Sequence, residues 1–392
     1  MSVRERRSDR YPRVCRFLRR KYKQVFCFIT ISGAIAAIFP GCSPFYVLRA
    51  AYEEGKILWR REPITDFVDK KDVQGDTQEK LKLVLDVRQY ARDVLKFNVG
   101  GSYSSYSQVD RPDLTYIVMA APKTELRPYT WWFLIIGNVP YKGFFSREEA
   151  DAEIARLKAQ GYDTTLRTSA AFSTLGWFDD PLLSHLLRYD KAILSEIVFH
   201  ELFHNTLYVK GQGAFNESSA NFVGHRAAID FFRARFGADS QEYARAVQIW
   251  NDEREFGHFI DELASTLGDL YSRKIPLEDK MRLREEVFAR SKEEWQRRIA
   301  DRPNHSFRGF GRRPLNNAVL MHYMVYLKDL DLFESLYEAC SQDLGRTIES
   351  LRKAVDKGGD PFEAVRKWLD QHRQQTAAMR ISSALSFRAS WR

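Results

Sequence analysis

Apolar residues recur every three or four positions through most of this chain, and the places where that period fails divide it into parts. Residues 45–60 and 77–95 read as helices, separated by Pro63 and the polar stretch 69–76. The period then changes. Stretches 103–109, 114–121 and 129–139 are rich in aromatic and β-branched residues and bounded by Gly, Pro and Asp, which predicts strands. Ser146 as N-cap, followed by Glu148 and Glu149, opens a helix to about Gln160; Gly161 ends it and a strand follows over 162–169. Ile193, Leu194, Ile197, Val198, Leu202 and Phe203 then mark a helix, with no Gly or Pro from Lys191 to Lys210. Beyond Gly211-Gln212-Gly213 everything reads as helix: 216–236, 240–274, 277–299, 316–327, 332–340, 345–355 and 361–371. The clearest interruption there holds Pro303, Gly309 and Gly311, a loop before Pro314. The expected fold is α+β, with a small sheet preceding one central helix and a mostly helical C-terminal half.

Charge adds an N-terminal leader to this picture. The net charge of +9 invites a nucleic-acid reading, but ten of the 61 Lys and Arg residues lie within residues 1–24, beside only Glu5 and Asp9. The rest of the chain holds 51 basic against 50 acidic residues, so no basic excess is left to track phosphates, and no nucleic-acid partner is expected. Residues 25–39 are uncharged and rich in Phe, Ile and Ala; fifteen residues are short for a membrane span and fit a signal h-region. The stretch ends in Phe39-Pro40-Gly41-Cys42-Ser43, which resembles a bacterial lipoprotein box at Gly41 and Cys42 and departs from it at Phe39 and Pro40. The expectation is an exported protein on the periplasmic or cell-surface side, held to the membrane by a lipid on Cys42 or by an uncleaved signal anchor. Cys15 and Cys27 fall in the leader, so only Cys340 is left for the mature part, which has neither an internal disulfide nor a cysteine metal set. Residues 1–41 are thus a leader, 42–375 one catalytic domain with lobes 42–190 and 191–375, and 376–392 a loose Ser/Ala/Arg-rich tail.

The candidate chemistry sits on the central helix, in His200-Glu201-Leu202-Phe203-His204. Helical positions i and i+4 share a face, so both imidazoles can reach one ion while Glu201 points toward a water in the open position, as general base. The neighbours Phe199, Leu202 and Phe203 suit a dry site. After the Gly211-Gln212-Gly213 break, Asn216 is a plausible N-cap of the next helix, and the return carries Glu217 toward the histidines. Two His and one Glu form an established catalytic zinc set, which implies one Zn²⁺ per chain; the alternative for Glu217 is a carboxylate favoured by the helix dipole. Glu196, one turn before His200, either orients a ligand imidazole or is a solvated helix acid. His225 reads as a surface or packing residue, and His185, His258 and His305 have no spacing partner.

Asn216-Glu217-Ser218-Ser219-Ala220 resembles the Asn-Glu-x-x-Ala block of the gluzincin metallopeptidases. Four blocks together resemble a bacterial family of predicted zinc aminopeptidases: 173–183, 199–204, Tyr208-Val209-Lys210-Gly211 and 214–218, with Asn316-Asn317-Ala318 further on. The resemblance spreads from Cys42 to about Asp370 and implies a zincin-like core, His200, His204 and Glu217 as metal ligands, and a peptide or protein substrate. It departs from the larger gluzincin aminopeptidases in the short interval between His204 and Glu217, and in lacking a Gly-x-Met-Glu-Asn block that would hold a substrate amine. In gluzincins a Tyr or His on a downstream helix donates to the developing oxyanion; His322, Tyr323 and Tyr326 are the candidates here, Tyr326 the preferred one. The same likeness puts the substrate against a strand at 167–174. Asp179-Asp180-Pro181 either binds an amine or caps a helix starting near Pro181, and Asn316 and Asn317 cap their helix or line the cleft. Two other functions stay open: an endopeptidase, and a non-catalytic envelope protein that binds peptide or cell wall.

Overall fold

The computed structural model describes residues 55–389 except 72, 74, 110–114, 134–136 and 170–178. The leader, Cys42 and most of the block at 173–183 lie outside the described residues. In chain order the elements are β1 (Glu62–Pro63), α1 (Ile64–Val68), α2 (Asp76–Asp93), β2 (Ser105–Ser107), β3 (Thr115–Pro122), β4 (Trp131–Phe133), β5 (Gly137–Val139) and β6 (Lys142–Phe144). Next come α3 (Arg147–Ala159), β7 (Tyr162–Ser169), β8 (Leu182–Leu183), a 3-10 turn at Ser184–Arg188, α4 (Lys191–His204) and α5 (Gly213–Phe236). The remainder is helical: α6 (Gln241–Ser272), α7 (Leu277–Arg298), α8 (Asn317–Leu327), α9 (Leu330–Ala339), α10 (Leu344–Val355) and α11 (Pro361–Ala389). The molecule is α+β, with small sheets in its first half and helices in its second.

Strand β3 is central in the antiparallel order β6-β3-β7, and it pairs with β7 continuously from Thr115↔Ser169 to Pro122↔Tyr162. Alternation then gives the sheet two different faces. Tyr162 and Leu166 pack with Val118, Ala120 and the α3 residues Ala150 and Leu157 in a small core of their own. Asp163 and Arg167 point the other way, toward α8: Asp163 accepts from the Asn317 amide at 3.0 Å, and the Arg167 guanidinium lies over the Tyr323 ring. The main core is aromatic. Phe222, Trp250 and Phe333 fill the space between α5, α6 and α9, and Phe256, Trp295 and Phe307 that between α6, α7 and the loop after it.

Several expectations need correction. The strand expected over 129–139 is the hairpin β4–β5, with Gly137 at φ +79° opening its second arm. Helix α4 stops at His204, not Lys210, because the side chain of Asn216 takes up both the N–H and the C=O of Val209, at 2.8 Å each. Asn216 therefore is no N-cap; it lies inside α5, which starts at Gly213. No α-helix starts near Pro181. Leu182–Leu183 pairs in parallel with β2 instead, and Asp179 caps a loop, its Oδ1 accepting from Gly101 N at 2.7 Å. Asn316 does cap α8, accepting from Val319 N at 2.9 Å. The last helix continues to Ala389, past the expected end at residue 371, since no Gly or Pro follows Pro361.

Candidate metal centre

The site forms where α4 crosses α5. Position 224 lets the two helices touch: a Cβ there would come within 3.1 Å of the Glu196 carbonyl oxygen and 3.3 Å of His200 Cβ. At the start of α5, Gly213 likewise lies against Pro140, 3.2 Å from where a Cβ would stand. The first lets α5 lie close on α4, and the second brings the chain just after β5 against the first turn of α5.

His200, His204 and Glu217 thereby converge. His200 Nε2 lies 3.1 Å from His204 Nε2 and 3.3 Å from Glu217 Oε2, and His204 Nε2 lies 3.8 Å from the same oxygen. All three side chains are buried. Burial alone would lower the His200 pKa, but its hydrogen bond to Glu217 and the charges of Glu201, Glu217 and Glu196 push it up to about 9. Burial works the opposite way on Glu217, where the hydrogen bonds and charges of the two histidines prevail and hold the carboxyl well below its usual range. A tetrahedral zinc with bonds of 2.0–2.1 Å needs its ligand atoms about 3.4 Å apart, so the observed separations fit such an ion.

Glu217 has a second oxygen, which accepts from the Tyr141 hydroxyl at 3.2 Å. The charge of Glu217 and, after it, burial raise the Tyr141 pKa well above normal, so the phenol keeps its proton and donates. The sequence reading passed over Tyr141. Its contact spans 76 residues and depends on the meeting of Pro140 and Gly213, for which no local spacing is a signal. Tyr326 reaches the centre from α8, its ring stacked on His200 with centroids 6.3 Å apart. Its pKa is also driven well up, by burial first and then by Glu217 and Glu201. Glu201 is half-buried on the same helix as the histidines, and its charge acts on Tyr326, His200 and Glu196. His322 and Tyr323 lie about one turn earlier on α8, where the His322 ring lies 5.2 Å from that of Tyr326.

Behind the ligands lies a buried polar layer. Glu196 places Oε1 3.8 Å from His200 Nδ1 and is largely shielded, so it is no solvated helix acid. His225, expected at the surface or in packing, is buried in an ion pair with Glu253. Asn221 donates to Glu253 at 3.0 Å and to the Tyr326 carbonyl at 3.3 Å, which ties α8 to α5. Glu217, Asn221 and His225 recur every four residues and so share one face of α5. Of the remaining histidines, His305 is buried beside Asp252, at 3.4 Å, and His258 pairs with Asp331 at 2.7 Å, both far along the chain from the ligands. Strand β7 is an edge strand, but of the substrate strand expected at 167–174 only 167–169 are described.

Fold and site together define a class: an α+β protein with a buried centre of two imidazoles and a carboxylate that fits a divalent cation. The chain belongs to the family described as "Putative aminopeptidase", whose model matches residues 45–360. No curated protein and no solved structure matches the chain. The family implies hydrolysis of peptides. No helix among the described residues is long and apolar enough to cross a membrane.

Proposed function

We propose that this protein is a zinc-dependent peptidase with a zincin-like core, acting as an aminopeptidase in keeping with its family. The observation that carries the reading is the convergence of His200 Nε2, His204 Nε2 and Glu217 Oε2 in one buried cluster. These three would hold Zn²⁺, which when bound supplies Lewis acidity and a water of lowered pKa. Glu201, one residue after His200, takes the proton of the attacking water on its carboxylate and hands it to the leaving amine. Tyr326 keeps its phenolic proton at neutral pH and donates to the oxygen on which negative charge develops. Tyr141 holds Glu217 in place through Oε1, while Oε2 faces the two histidines. Glu196 steadies His200 from its Nδ1 side.

The test is metal content together with turnover on the purified full-length protein. We expect about one zinc per chain, lost in His204→Ala, and release of amino-terminal residues from unblocked peptides. Glu201→Gln should keep the zinc and lose hydrolysis; turnover retained in that variant would sink the role given to Glu201. Acetylating the peptide's amino terminus should abolish cleavage, whereas cleavage that survives acetylation identifies an endopeptidase.

A further inference from the structure

Among the described residues, no carboxylate lies within ion-pair distance of Arg167, whereas Arg226 has Glu334 and Arg284 has Asp163. Arg167 is exposed on the face of β7 that looks at α8, and its guanidinium lies 5.5 Å from the centroid of the Tyr323 ring. A guanidinium stacked on an aromatic face is held flat, with the N–H donors on its edge still free to meet a planar anion. A row of ring contacts leads from it to the centre: Tyr323 lies 5.3 Å from His322, His322 5.2 Å from Tyr326 and Tyr326 6.3 Å from His200, centroid to centroid.

The charges around the centre give this cation a use. Glu201, Glu217 and Glu196 make the ligand end of the cleft rich in carboxylates, which repels the carboxylate end of a peptide and tolerates its amine end. At the far end of that row stands Arg167. The row spans at most about 22 Å, the reach of about seven extended residues, so a chain with its scissile bond at the centre and its terminal carboxylate at Arg167 is short. Resting on the peptidase reading above, we propose that Arg167 recognises the free C-terminal carboxylate of the substrate and makes short peptides the preferred class. The fork of N–H donors pairs with both carboxylate oxygens, while Tyr323 fixes the plane of the fork.

The experiment is calorimetric titration of the zinc-loaded, full-length Glu201→Gln protein with trialanine and with trialanine amide, which differ only at the terminal group. The acid should bind about tenfold more tightly than the amide, a difference typical of one partly exposed charge-assisted pair. Adding Arg167→Gln should erase that preference, and Arg167→Lys, which keeps the charge and loses the fork, should restore part of it. Circular dichroism on each variant checks the fold, which an exposed side chain should leave intact. Equal binding of acid and amide, or a preference that persists in Arg167→Gln, overturns the assignment. If the parent protein cleaves peptides while its Glu201→Gln form shows no acid preference, only the role of Arg167 falls. If the zinc-loaded protein binds neither peptide and the parent cleaves none, the peptidase reading falls with it.

Discussion

Each oxygen of Glu217 has its own neighbour. Oε2 faces the two histidines and Oε1 accepts from Tyr141, so the phenol sets the angle at which the carboxylate meets its partners. Tyr141→Phe removes that donor and should weaken zinc affinity about 10- to 100-fold, the usual effect of losing an outer partner of a ligand. A titration against a competing chelator reads this directly. Tyr326→Phe should do the reverse, leaving zinc affinity in place and lowering kcat by about 10²–10³-fold, as loss of an oxyanion donor does. At this scale the linear motif was readable and the supporting residues were not. His200, Glu201 and His204 stand within five positions of one helix, and Glu217 follows a single break, whose return brings the second helix back onto the first. Tyr141, Asn221 and Glu253 join the site through contacts 32 to 105 residues apart, for which the sequence holds no spacing rule.

Elements were legible where one local rule decided them. Strand β7 was expected over the residues where it lies, because Gly161 ends α3 and β-branched residues follow; α7 matched for the same kind of reason. Errors fell where a distant side chain intervened, as when Asn216 captured Val209 and ended α4 early. The crossing of α4 and α5 gives a prediction at this scale. Gly224→Ala places a methyl against the Glu196 backbone and His200 Cβ, so the helices must part by a few tenths of an ångström. The expected loss is about 1–3 kcal/mol of stability, as for other overpacked sites. Zinc affinity should fall with it, since the two helices carry different ligands. Gly268→Ala is the matching control. That position lies inside α6 with no atom near a new Cβ, so alanine should stabilise by about 0.4–1 kcal/mol through helix propensity and a stiffer unfolded chain. Denaturant melts of the two variants should therefore move in opposite directions.

Across the whole molecule, stability carries a pH signature remote from the ligands. Burial drives the carboxyl of Asp230 up to about 6, with Arg226 and Arg233 opposing and Asp343 adding to the rise. A raised carboxyl favours the folded state only while it is protonated. Its contribution is therefore complete below the ordinary value of 3.8 and is lost as pH climbs through 6. Asp230→Asn should raise the melting temperature at pH 7.5, and the gain should fade to nothing near pH 4; a gain independent of pH would mean that packing, not ionisation, is responsible.

Asn317 joins the two halves of the fold. Its amide nitrogen donates to the carbonyls of Pro122 and Glu125 at 2.8 and 3.3 Å, its side-chain oxygen accepts from Tyr271 at 2.8 Å, and its backbone N–H goes to Asp163, which in turn pairs with the buried Arg284. Helix α8 thus begins pinned to the end of β3 and, nine residues on, presents Tyr326 to the centre. That makes the turn after β3 a remote handle on the cleft. Lengthening or shortening it by a residue would slide the wall that carries Tyr323 and Tyr326 past fixed histidines, so that cleft width can drift between related proteins while the ion's own ligands stay unchanged.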